Sequence, residues 1–170
     1  MRIKRLAFAT LLAVVLVPAV FEAQEPASSP AKLKLSASGH ETVILSLAEF
    51  KALPHITVSV KNGHTDAQEV YSGVRLADLL VKVGAPLGKE LHGKAMTSSV
   101  RASATDGYAV LFSIAEIDPD FHPGETIVAD QMNGQPLDDK SGPFRLVSSE
   151  DKRPARWVRN LTTLELKTGE

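Results

Sequence analysis

The sequence predicts an α+β domain with mixed or mostly antiparallel sheets and short helices. Three observations carry this expectation. Stretches that alternate apolar and polar residues outnumber stretches with helical spacing. Each helical stretch is short and has its own cap or breaker. Turn signals recur between them, as Asn62-Gly63, Asp106-Gly107 and Asn133-Gly134.

The elements follow in chain order. Lys32-Leu33-Lys34-Leu35 alternates and reads as a strand, and Thr42-Val43-Ile44-Leu45 is a second. Ser46-Leu47-Ala48-Glu49 is a capping box that opens a short helix, which Pro54 ends. Ile56 to Val60 alternates again before the Asn62-Gly63 turn, and Val70-Tyr71 reads as a short strand. From Val74 the period changes. Leu76, Leu79, Leu80 and Val83 lie at helical spacing, and Gly84 with Pro86 stops that helix. Met96 to Ala104 reads as extended, and Tyr108 to Phe112 as its hairpin return. Ser113-Ile114-Ala115-Glu116 is a second capping box, opening one helical turn before Pro119. Thr126 to Gln131, Pro143 to Val147 and Leu161 to Leu166 complete the strands. There is no internal repeat, so residues 32–170 read as one domain.

Ahead of that domain, Arg2, Lys4 and Arg5 precede an apolar run from Leu6 to Val17, followed by small residues. This is the pattern of a secretory signal peptide over residues 1–23, with cleavage after Ala19 or Ala23. The run is shorter than the about 20 residues that span a bilayer, so no membrane span is expected in the mature chain. Residues 24–31 are a polar, Pro/Ser-rich linker. Export to a bacterial periplasm or the cell exterior is the expectation. Loss of residues 1–23 removes three cations and one acid from a chain of net charge −1, leaving −3. Near-neutral charge gives no sign of nucleic-acid binding. The chain contains no cysteine, which excludes disulfides, thiolate metal sites and a cysteine nucleophile.

Five segments together resemble the oxidoreductase molybdopterin-binding domain family, the sulfite-oxidase-type fold. They are Tyr71-Ser72-Gly73-Val74-Arg75-Leu76-Ala77-Asp78-Leu79-Leu80, Ala104-Thr105-Asp106-Gly107-Tyr108, and Ala129 to Leu137 around Met132-Asn133-Gly134. The last two are Gly142-Pro143-Phe144-Arg145-Leu146-Val147 and Arg153-Pro154-Ala155-Arg156-Trp157-Val158-Arg159. Each motif is weak alone. Their order and spacing agree over roughly residues 33–167.

The resemblance implies a molybdopterin-dependent oxidoreductase in which a cysteine thiolate, commonly within "Cys-x-x-Asn", ligates molybdenum. Here the corresponding stretch is Val58-Ser59-Val60-Lys61-Asn62-Gly63, so Ser59 takes the cysteine's place. A serine hydroxyl is a poor substitute for a thiolate on a soft metal. Ser148 replaces the proline after "Arg-Leu-Val". Arg153 and Arg156 fall on two lysines that face the pterin and its phosphate in the family. With Arg145 they are the candidate anion-binding residues, since arginine gives planar, bidentate contacts to phosphate and carboxylate. Read without the resemblance, the cluster Lys152, Arg153, Arg156 and Arg159 is a solvated edge. Trp157 reads as core, as a stacking surface, or both.

None of the five histidines forms a metal-spaced pair. His64, just after the Asn62-Gly63 turn, is the best candidate for a residual site. No Gly-x-Ser-x-Gly elbow, P-loop or dinucleotide fingerprint is present.

Three functions follow. The first is an exported, non-catalytic module that binds an anionic small molecule or a periplasmic protein partner. The site residues are then Arg153, Arg156, Arg145, Ser148, Ser59 and His64. The second is an oxidoreductase that keeps molybdopterin without thiolate ligation and acts on a small oxyanion. The third is a structural envelope scaffold that reuses the fold.

Overall fold

A computed structural model describes residues 31–62 and 66–169. The expected signal segment, all but the last residue of the expected linker, and His64 lie outside the described residues.

Among the described residues, ten strands form two sheets. The first has the order β2(Val43–Ser46), β1(Lys32–Ala37), β10(Leu161–Lys167), β5(Ser99–Ala104), β6(Ala109–Ser113). Its β1–β10 pair is parallel and the other pairs are antiparallel. The second sheet is antiparallel, in the order β3(Ile56–Lys61), β4(Gln68–Arg75), β7(Thr126–Met132), β8(Gln135–Pro136). Strand β9(Arg145–Ser148) also pairs with β7. Two short helices, α1(Leu47–Lys51) and α2(Leu76–Val81), and four 3-10 turns join them. This is the α+β architecture of mixed and antiparallel sheets that the patterning predicts.

Local chemistry explains the boundaries. The capping box at Ser46 forms as expected: Glu49 N–H donates to Ser46 Oγ, and Ser46 N–H donates to Glu49 Oε2. Ser113 and Glu116 build the second box over one 3-10 turn. Gly84, at φ +78°, ends the α2 segment in the left-handed region that favours glycine.

Two expectations are corrected. Val70-Tyr71 belongs to an eight-residue strand, which runs through Gly73. That glycine marks a close approach of β7 rather than a break: a Cβ there would lie 2.0 Å from Val128 O. Met96 is not extended. It sits in the 3-10 turn Gly93–Thr97, which begins at Gly93 with φ +55° and closes with Ser98 N–H donating to Ala95 O.

The core has two parts. The larger draws on both sheets and α2, with Leu33, Leu35, Val100, Phe112 and Leu164 from one sheet and Val74, Val128 and Leu146 from the other. The smaller lies on the opposite face of the second sheet: Val58 and Val60 of β3, Tyr71 of β4, Ile127 and Ala129 of β7, and Val147 of β9, covered by Trp157. Alternation along each strand assigns these faces.

A bulge at Asp130 breaks that alternation. Ser72 pairs with Gln131 and Gly73 with Ala129, so Asp130 has no partner on β4. The extra residue returns Met132 to the face of Tyr71, its cross-strand partner. Asp130 itself is fully buried, with His55 Nε2 3.2 Å from its Oδ1. The approach is close enough for an ion pair but is not aligned as a hydrogen bond. On its other side the His55 ring bonds Leu53 O through Nδ1 at 2.7 Å. His55→Ala leaves the buried carboxylate without this partner, and the expected loss is about 3 kcal/mol. A double-mutant cycle with Asp130→Ala in urea unfolding checks this. Additive single effects would show that the two groups do not interact.

Candidate functional site

A cleft of about 520 Å³ lies beside the second core cluster and shares Trp157 with it. Its wall is made by Asn62 and Glu69 at the β3–β4 end, Arg145 on β9, and Pro154, Ala155 and Trp157 after it. Asp106, Tyr108 and Arg159 complete the lining. The β5–β6 hairpin is held against this segment because Tyr108 Oη donates to Ala155 O.

Arg145 is the centre of the arrangement. Its guanidinium carbon lies 5.1 Å from the Tyr71 ring centroid and 5.7 Å from that of Trp157. The two rings meet edge-on, 79° apart. Arg145 Nη1 donates to Tyr71 Oη at 2.8 Å. Tyr71 Oη in turn donates to Glu69 Oε2 at 2.8 Å, and Asn62 Nδ2 donates to Glu69 Oε1 at 2.6 Å. Glu69 and Tyr71 are two apart on β4, so strand alternation puts both on one face.

Two donors in this assembly have no acceptor among the described residues. They are Arg145 Nε and Trp157 Nε1, both buried at the atom. Trp157 as a residue is 7% exposed.

Burial raises the Tyr71 phenol to about 12, the Glu69 hydrogen bond adds to the rise, and Arg145 opposes it. A raised phenol stabilises the fold at every pH below its unfolded value near 10. That contribution fades as pH climbs from about 10 toward 12. Absorbance titration of phenolate should show one late-ionising tyrosine in the folded protein, and Tyr71→Phe should remove it. An unchanged titration in that variant would contradict the assignment.

The other residues singled out from sequence fall in different places. Arg156 turns away from the cleft and ties two segments together. Its Nη2 bonds Asp151 Oδ1 at 2.6 Å, its Nη1 bonds Glu116 Oε1 at 2.8 Å, and its head lies 4.4 Å from the Phe112 ring centroid. The Asp151 hydrogen bond, with that to Glu116, raises the Arg156 guanidinium despite burial. Burial disfavours the charged form of Glu116, but bonds from Arg156 and Ser113 outweigh it and lower the carboxyl. Arg156 therefore positions the turn that carries Ala155 and Trp157.

Arg153 is exposed at the start of that same turn. Ser148 is buried on β9 and accepts from Thr126 Oγ1 at 3.3 Å, outside the cleft lining. Ser59 is exposed on the face of β3 opposite Val58 and Val60, and accepts from Gln68 Nε2 at 2.7 Å. Of the five of these residues that are described, Arg145 lines the cleft. Sequence reasoning passed over Glu69, and it met Asn62 only as a turn residue and the asparagine of the family stretch. The alternation Glu69-Val70-Tyr71 carried a signal for Glu69. No local pattern paired Asn62 with Glu69, seven positions on.

The model of the oxidoreductase molybdopterin binding domain matches residues 22–170. The chain belongs to that family. A solved structure with the same fold is the sulfane dehydrogenase SoxCD from Paracoccus pantotrophus, with a TM-score of 0.62 and 17% identity. The match covers 81% of this chain and 38% of that one, so the present chain spans well under half the length of SoxCD's. At this identity the likeness concerns the fold alone. No curated protein matches the chain. Among the described residues, no helix is long and apolar enough to cross a membrane.

Proposed function

We propose that this member of the molybdopterin-binding oxidoreductase family is a non-catalytic module that binds a small oxyanionic ligand in the Arg145 cleft. One observation carries the reading. Arg145 Nε and Trp157 Nε1 are buried N–H donors without acceptors among the described residues, and both belong to residues lining one cleft. Buried donors are nearly always paired in native proteins, so an acceptor from outside the chain is the natural partner. Arg145 makes that acceptor an anion, because charge-assisted bonds are the stronger kind. Arg159 at the exposed rim adds positive charge.

The same residues bear on the family's cofactor. Arg145, Trp157 and Arg159 fit the anionic arm of a molybdopterin, which would supply redox chemistry when bound. No thiolate is available to a metal, because the chain has no cysteine. Among the described residues, no three His, Asp or Glu side chains gather into a metal site. The chain's own residues account for holding an anion and not for ligating molybdenum. This supports binding over catalysis.

The test is direct. Protein made in a molybdenum-competent host is expected to hold far less than one molybdenum per chain and to bind ethanesulfonate saturably by calorimetry. Stoichiometric molybdenum with turnover would overturn the non-catalytic reading. No detectable sulfonate binding would overturn the ligand class.

Residues 1–23 support export as part of the proposal. N-terminal sequencing of the periplasmic fraction should find a chain starting after Ala19 or Ala23. A cytoplasmic chain starting at Met1 would contradict it.

A further inference from the structure

The cleft contains separated charges of both signs. Arg145 makes no ion pair among the described residues, and neither does Glu69. Both line the cleft, and the Tyr71 hydroxyl stands between them, 2.8 Å from Arg145 Nη1 and 2.8 Å from Glu69 Oε2. The hydroxyl keeps them from closing on each other as a salt bridge. At the rim the exposed Arg159 and Asp106 repeat the pairing of signs. A site built for a plain anion has no use for a half-buried carboxylate two hydrogen bonds from its arginine. That carboxylate repels the anion and adds nothing to its binding.

Resting on the oxyanion reading above, the geometry points to an amphoteric ligand: an oxyanion joined through a short spacer to an ammonium or similar cationic donor. The oxyanion lies against Arg145 and the Trp157 indole N–H. The cationic end faces Glu69. Each Glu69 oxygen accepts one bond from a neutral donor, from Asn62 or Tyr71, which leaves acceptor capacity on the carboxylate. The two charged groups are linked by only two hydrogen bonds through the Tyr71 hydroxyl, so the spacer between the ligand's two ends is short. Glu69 thereby becomes the specificity-determining residue, and Tyr71 the spacer that holds the two charges apart.

The matched probes are 2-aminoethanesulfonate and ethanesulfonate, which differ by one ammonium group, with ethylamine as the cation alone. Calorimetry on the full chain is expected to show the aminosulfonate bound at least ten-fold more tightly than ethanesulfonate, and ethylamine weakest. In Glu69→Gln the two sulfonates should converge in affinity. Equal affinities in the wild-type protein would overturn this inference and leave the oxyanion site standing. A preference for ethanesulfonate would do the same. Failure of both sulfonates to bind would instead remove the oxyanion reading itself. The wild-type comparison decides the matter even if Glu69→Gln fails to fold.

Discussion

Replacing Arg145 with Leu is expected to lower ethanesulfonate affinity by roughly ten- to a hundred-fold, the worth of about 1.5–3 kcal/mol for a charged hydrogen bond. The fold should survive. Tyr71 keeps its bond to Glu69, and an apolar side chain can lie against the same two rings. Arg145→Lys should fall between the two, because an ammonium keeps the charge but loses the flat fork over Tyr71 and Trp157. Arg156→Leu serves as the contrast. It breaks the links to Asp151 and Glu116, so stability should fall more than binding does. Calorimetry and urea unfolding on the three variants check this. Wild-type affinity in Arg145→Leu would remove Arg145 from the site.

Gly73→Ala is expected to be the most damaging single substitution in the second sheet. Its Cβ would sit 2.0 Å from Val128 O and 2.5 Å from Ala129 Cα. Both are backbone atoms of a central strand, with β4 on one side and β9 on the other, so neither can step aside without breaking pairs. The cost is about 3 kcal/mol or more, which lowers Tm by about 6–12 °C at this chain length. The bulge at Asp130 lies one residue away, so strain should also reach the Tyr71–Met132 register, whose Tyr71 hydroxyl accepts from Arg145. Calorimetric unfolding measures the loss, and a Tm within a degree of wild type would show that β7 yields.

Much of this architecture was legible because short-range rules act alone there. The β1 and β3 strands alternate cleanly, and both capping boxes form from Ser-x-x-Glu spacings. Met96 is displaced from the expected strand by a local 3-10 turn, and the failures around Gly73 and Asp130 have another cause, a residue whose conformation is set by a distant strand. Val70-Tyr71 reads as a short strand until β7 lies against Gly73 and the pairing runs on. Asp130 reads as an ordinary strand residue until the bulge isolates it, and no local pattern encodes that extra count.

The site divides in the same way. Arg145 could be singled out because its segment resembles a family motif. Arg156 belongs to a similar motif, yet its acidic partners come from Glu116, forty positions earlier, and from Asp151. Charge spacing alone could not distinguish a strut from a ligand contact. Ser59, chosen as the counterpart of a cysteine, lies on the exposed face of β3. The parity of Val58 and Val60 already implied this face, once that pair was known to be buried.

The most direct test of an anion held between Arg145 and Trp157 uses the chain's single tryptophan. Its indole N–H gives one resonance in a nitrogen–proton correlation spectrum of uniformly labelled protein. Titration with ethanesulfonate should move that resonance saturably, with the same midpoint as the calorimetric binding curve, and Arg145→Leu should abolish the shift. An indole signal that stays fixed while the sulfonate binds would place the anion elsewhere and contradict the account.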